Sequence, residues 1–295
     1  MSDTLAINFI DALKRKVQEM SGQRLIFFVV GRAGWGKSST INSLLGEEKC
    51  KVDDDEPSTI EVSGFEFEMN GVKAKIFDTP GLCDGSGNDQ KYMQEIRQKI
   101  KNPDSMLYVN RLDETRITDN DKRGIKIISD ALGAEVWQNA VIVFTFANNV
   151  NPSEYEKKLA KRTFLIRKAI EDCIQNNEIA FQIPVVAIDN KNTIRPDGQE
   201  WLGEFFTVVA DRVSLKGIVA FLSMLTPTIK KRTHLNKQQK EIIRRKFVAA
   251  VFQNTATAMG IGVAVAGLIN APIIIGFSTA GIMGTLLGAW LSKDE

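Results

Sequence analysis

Histidine is almost missing from this chain of 295 residues, in which His234 is the only one. Serine, cysteine or zinc sites built on histidines are thereby excluded. Cysteine is scarce as well. Cys50, Cys83 and Cys173 are odd in number, widely spaced and form no CxxC pair, which argues for reduced thiols in a cytosol-facing domain rather than a disulfide framework. No hydrophobic signal peptide opens the sequence, because residues 1–20 carry charges throughout. Ile7, Ile10, Leu13 and Val17 instead recur at amphipathic spacing, so a helix over 1–22 is expected to dock on the domain that follows. There is no internal repeat and no long linker before residue 215.

What the sequence does hold is a glycine-rich loop, Gly31-Arg32-Ala33-Gly34-Trp35-Gly36-Lys37-Ser38, set between the apolar run Leu25 to Val30 and a helical pattern from Ser39 to Leu45. Such a turn between a buried strand and a helix aims several backbone N–H groups at one point and cradles polyphosphate at the positive end of the helix. Lys37 is then expected to reach the β- and γ-phosphates, and the Ser38 hydroxyl to ligate Mg²⁺, with Ser39 completing the loop's contacts. A second apolar run, Val72 to Phe77, leads into Asp78-Thr79-Pro80-Gly81. Asp78 is placed to hold the Mg²⁺ shell through water, and Gly81 has no side chain to keep its N–H from the γ-phosphate. In the polar segment 46–61, Thr59 is the candidate hydroxyl for closing over Mg²⁺, with Ser58 as its neighbouring alternative.

Further β-branched runs lie at Glu61 to Met69, Met106 to Val109, Val141 to Thr145 and Pro184 to Ile188. Helical patterns fall at about Gln90 to Lys101, Asp119 to Leu132, Pro152 to Asn176 and Gln199 to Val213. This alternation predicts an α/β fold, a P-loop NTPase three-layer sandwich with a mostly parallel sheet and helices on both faces. The nucleotide belongs at the carboxyl ends of the strands.

The motifs resemble those of the septin-related GTPases, the group containing the Toc receptors of the chloroplast outer envelope and the immune-associated nucleotide-binding proteins. Gly36 to Ser43 followed by Gly46-Glu47 looks like the Toc form of the P-loop helix. Tyr108-Val109-Asn110-Arg111-Leu112-Asp113, Arg116, Asp121-Lys122 and Val136-Trp137 resemble the Toc segment around its YVDRLD signature. Arg195-Pro196-Asp197-Gly198 and Trp201 are similar to a later element of that branch, and the Toc branch is the nearer of the two. The resemblance implies a Mg²⁺-dependent GTPase, binding GTP and GDP, whose G domain spans 23–215 and forms a homodimer. Guanine would be read by residues ending two late strands, here Phe146, Asn148, Asp189 and Asn190. Phe146 stands where the Toc pattern has a histidine, and it offers a flat face for stacking on the base. Arg111 matches an arginine that meets the nucleotide of the facing subunit. Leu82, after Gly81, cannot orient the attacking water, so intrinsic hydrolysis is expected to be slow.

From Phe247 to Ser292 there is no charged residue. At about 20 residues per crossing this leaves room for two membrane helices turning at Asn270-Ala271-Pro272, and a C-terminal hydrophobic hairpin is the expectation. A single span and a hairpin buried on the domain are the alternatives. Residues 216–246 read as a basic helical juxtamembrane linker, with eight Lys or Arg between Ile229 and Lys246 against Glu241 alone. The basic charge abuts the membrane-like stretch and leaves the preceding domain acidic, so nucleic acid is not an expected partner. The function that follows is a membrane-anchored, dimerising GTPase facing the cytosol, a preprotein receptor at the chloroplast outer envelope if the cell bears plastids. An immune-associated type of GTP-binding scaffold with little turnover, and a nucleotide-gated membrane-inserting or pore module, remain as alternatives; the client protein is not readable.

Overall fold

The computed structural model describes residues 15–50, 63–78 and 89–252. Among these residues six strands form one sheet: β1 (Leu25–Val30), β2 (Ser63–Met69), β3 (Val72–Asp78), β4 (Ser105–Arg111), β5 (Ala140–Thr145) and β6 (Val185–Ala187), in the spatial order β2-β3-β1-β4-β5-β6. All neighbours run parallel except the β2–β3 hairpin, which reverses at Asn70-Gly71, both with positive φ. Asn-Gly suits that reversal because both central residues of such a turn take left-handed backbone. The expected three-layer α/β sandwich is the architecture that forms.

Strand periodicity divides the core in two. On β1, Leu25, Phe27 and Val29 point into one apolar layer, while Phe28 and Val30 point into the other. The first layer is covered by α1 (residues 15–21), α2 (Lys37–Leu45), α7 (Leu202–Arg212), α8 (Ile218–Arg232) and α9 (Lys237–Phe252). The second lies under α3 (Asp89–Lys99), α4 (Asp119–Leu132), α5 (Tyr155–Ile174) and α6 (Asn177–Gln182). α4 starts where the sequence predicts because Thr118 and Asp121 form a reciprocal capping box.

The region read as a linker is occupied by α8 and most of α9. Phe221 and Leu225 of α8 and Ile243 of α9 are buried in the first layer, and α9 packs on α7 and α8. The uncharged stretch begins inside the same helix, with Phe247, Ala250 and Val251 buried there. Among the described residues no helix is long and apolar enough to cross a membrane. The hairpin expected beyond α9 falls at 253–292, outside the described residues. At the other end, Val17 and Met20 of α1 are buried against the first layer; Ile7, Ile10 and Leu13 lie outside the described residues.

Candidate nucleotide site

The strands β1, β3, β4 and β5 all deliver their carboxyl ends to one edge of the sheet, where the glycine-rich loop passes from β1 to α2. A Cβ on Gly31 would sit 2.4 Å from the Val109 carbonyl oxygen, so only glycine lets the loop cross β4 this closely. The loop ends at Gly36, which caps α2 with no side-chain hydrogen bond to the leading amides, and no acidic residue occupies the first turn. That end of α2 therefore presents backbone N–H groups and a positive dipole that no N-cap side chain satisfies.

Lys37 lies across this opening. Its side chain is 8% exposed, its ammonium donates to the Gly31 carbonyl at 3.0 Å and the Arg32 carbonyl at 3.2 Å, and Asp78 Oδ1 lies 3.7 Å away. Two neutral carbonyls and a carboxylate beyond hydrogen-bond distance leave a cation suited to a polyanion. Lys37, Ser38 and Asp78 border one space of about 360 Å³, closed on the apolar side by Val29, Ile41, Phe65 and Ile76. Cys50 lines it too, its thiol pushed up to about 11 by burial and by the nearby Asp78. It remains a protonated thiol at neutral pH and supplies no nucleophile. These donors fit a triphosphate with a hard, oxygen-seeking cation: an uncapped helix end, a buried ammonium, a hydroxyl and a carboxylate.

Of the other loop residues, Ala33 and Gly34 are exposed, Ser39 is half-buried, and Arg32 lies over the Trp35 ring at 5.2 Å. Trp35 is buried, and its carbonyl accepts from Thr145 Oγ1 at 2.8 Å. The same hydroxyl is 3.2 Å from the Asn110 carbonyl. Thr145 thus fastens the glycine-rich loop to the end of β5, a bond the sequence does not announce because its partners are 110 and 35 residues away. Thr59 and Thr79 to Gly81, with Ser58 and Leu82, lie outside the described residues.

The base-side candidates gather next to Thr145. Phe146 is half-buried with φ 56°, and the Arg111 guanidinium covers its ring at 4.1 Å. Arg111 is also held by Asp113, through bonds of 2.9 and 2.6 Å. Asn149 donates to the same carboxylate at 2.8 Å. Burial opposes its ionisation, yet the bonds from Arg111 and Asn149 hold the Asp113 carboxyl below its usual range. Asn148 donates to Asn149 at 3.3 Å.

Asn190 accepts from Ser43 Oγ at 2.9 Å, which ties the loop after β6 to the second turn of α2. Asp189 is buried and turned into its own loop, where it accepts from the backbone N–H groups of Lys191 and Asn192 and from the Asn192 amide at 2.8 Å. The structure thus brings residues 31–39 together with Asp78 at one end of the site, and Arg111, Phe146, Asn148 and Asn190 at the other. Thr145 and Ser43 join the two ends.

The AIG1 family model matches residues 24–241. The chain belongs to the AIG1 family. Translocase of chloroplast 34 from Arabidopsis thaliana is 30% identical over 218 residues, covering 68% of this chain and 69% of the relative. Longer relatives are matched over a small part of their length, such as 21% of translocase of chloroplast 101 from Physcomitrium patens. Among solved structures, Toc33 from Arabidopsis thaliana in complex with GDP and Mg²⁺ has a TM-score of 0.55 at 28% identity, over 68% of this chain and 91% of that one. A structure of the chloroplast translocon components atToc33 and psToc159, for which dimerization is important for GTPase activity, has a TM-score of 0.57 at 27% identity, over 68% of this chain and 90% of that one. Within the family, the likeness to the Toc branch read from the motifs is borne out by these relatives.

Proposed function

We propose that the chain is a GTP-binding and GTP-hydrolysing switch that acts as a homodimer through its G domain, as a preprotein receptor at an organelle outer membrane. In a plastid-bearing cell this is the chloroplast outer envelope, with the G domain facing the cytosol and residues 247–292 holding it to the membrane. One observation carries the reading. The buried Lys37 ammonium spans the glycine-rich loop beside the uncapped start of α2, 3.7 Å from the Asp78 carboxylate. The Toc33 complex with GDP and Mg²⁺, in a relative of the same branch, supports it.

In this reading Lys37 and the loop amides from Gly31 to Ser39 bind the phosphates, and Phe146, Asn148 and Asn190 bear on the base. Ser38, Thr59 and Asp78 would hold Mg²⁺, which would supply positive charge against the phosphate oxygens. Gly81 offers its N–H to the γ-phosphate. Leu82 cannot orient water, so turnover depends on a second subunit. Arg111 reaches that subunit's nucleotide, and to do so it leaves the Asp113 pair and the Phe146 face. An arginine supplied in trans contributes about 10³ to 10⁵ in rate in the strongest cases.

GTP and ATP turnover by the full chain in detergent, across a wide range of protein concentration, tests this. GTP-selective hydrolysis whose rate per chain rises with concentration, and which is lost in Lys37→Ala, is the expected result. A rate per chain independent of concentration would sink the dimer mechanism, and equal use of ATP would sink the guanine assignment.

A further inference from the structure

Ser43 lies in the second turn of α2, beyond the residues that face the phosphates, and its hydroxyl donates to Asn190 Oδ1 at 2.9 Å. The other half of that amide points the opposite way. Asn190 Nδ2 lies 3.4 Å from the position a Cβ would take on Gly36, and Thr145 Cγ2 is 3.6 Å from the same position. The amide is therefore gripped by its oxygen and offers its N–H₂ group over the start of α2, beside the residues that bear on the base.

The loop presenting it is held from both sides. Asp189 accepts from the Lys191 and Asn192 backbone at 2.9 and 3.2 Å, and Trp201 Nε1 donates to the Asn192 carbonyl at 2.7 Å. With its backbone held, the remaining freedom of Asn190 is rotation of the side chain, which the bond from the Ser43 hydroxyl to Oδ1 restrains.

We infer that Ser43 is a positioning residue for base selection: it turns Asn190 so that an N–H₂ donor, rather than a carbonyl acceptor, meets the six-position of the purine. The inference rests on the nucleotide reading above and adds to it the atom that is recognised. Guanine and hypoxanthine carry an oxygen at that position, which accepts from Nδ2. Adenine and 2,6-diaminopurine carry an amino group, and two donors then face each other with neither satisfied. This is a different discrimination from that of a carboxylate, which accepts from guanine N1–H and the two-amino group and so penalises the loss of that amino group. Selectivity here follows the six-oxo group and is indifferent to the two-amino group.

The experiment is a binding series with the full chain in detergent and Mg²⁺, using the triphosphates of guanosine, inosine, adenosine and 2,6-diaminopurine riboside. Inosine triphosphate is expected to bind within about threefold of GTP, and the two six-amino nucleotides at least about tenfold more weakly. Ser43→Ala, which frees the amide to rotate, is expected to cut the GTP-to-ATP preference by about tenfold, and Ser43→Thr to keep it. A tenfold loss on replacing GTP by inosine triphosphate places recognition at the two-amino group and overturns the inference while leaving GTP binding intact. An unchanged preference in Ser43→Ala overturns the role of Ser43. Failure of the wild-type chain to bind any of the four overturns the nucleotide reading itself. Should Ser43→Ala not fold, the wild-type series alone decides between the six-oxo and two-amino positions.

Discussion

An arginine in the middle of a helix, 1% exposed, needs a reason. Arg162 of α5 donates to the Arg116 carbonyl at 2.7 Å and to the Asn110 side chain. These two acceptors bracket the segment carrying Arg111, so one buried guanidinium pins both ends of the loop that lies over Phe146. Burial pushes its pKa down, while Asp121 and Glu114 act the other way. Its Nε, Asn110 Nδ2 and Asp121 Oδ1 have no hydrogen-bond partner among the described residues, so the network is costly to bury and costly to break. Arg162→Met is expected to lower stability by about 3 to 5 kcal/mol, measured by urea unfolding, because it orphans the Asn110 and Arg116 oxygens. A loss below about 1 kcal/mol would mean that these acceptors find water and that the loop is held by something else.

Between elements, α2 ends against α8. Gly46 closes α2 with φ 77°, and a Cβ there would lie 2.4 Å from Thr228 Cγ2. Arg232, at the end of α8, donates to the Ser43 carbonyl at 2.6 Å and so satisfies one of the last acceptors of α2. Gly46→Ala is expected to cost about 2 to 4 kcal/mol by strain and overlap, and adding Thr228→Ser, which removes the opposing methyl, is expected to restore part of it. Equal stability of Gly46→Ala and wild type in chemical denaturation would show that the two helices can separate freely.

This junction also marks where sequence legibility fails. β1 and α4 are readable to their ends, because an apolar run stopped by a glycine loop and a Thr118 to Asp121 capping box are local signals. The glycine-rich loop is readable for the same reason. α8 is not readable as a core helix: from Ile218 to Leu225 nearly every residue is buried, so no one-sided stripe shows, and Pro227 lies within it. The basic residues that follow draw the eye to a linker. Thr145 and Ser43 were invisible as joints of the site because each bonds across more than a hundred residues of chain, to Trp35 and Asn190. Chemistry within a motif is local, but the bonds that join motifs exist only once the sheet has assembled.

For the molecule as a whole, the proposed membrane anchor lies at the end of the sequence. The uncharged stretch from Phe247 to Ser292 follows a segment with eight basic residues. Flotation with liposomes checks the proposed anchor. The full chain is expected to rise with the vesicles, and residues 1–252, which keep α9 whole, to stay in the aqueous layer. Flotation of both to the same extent would move membrane attachment onto the folded domain.

The burial of Phe247, Ala250 and Val251 against the core has a mechanical side. α9 packs on α7, and α7 in turn on β5 and β6, whose ends lead into the residues around Phe146 and Asn190. A pull applied at the last described residue, 252, loads α9 directly and through it the layer of α7 and α8. Under the proposed receptor role, tension between a preprotein and the membrane would reach the helix layer through α9. In this chain the helix that leads into the proposed anchor is itself a wall of the core.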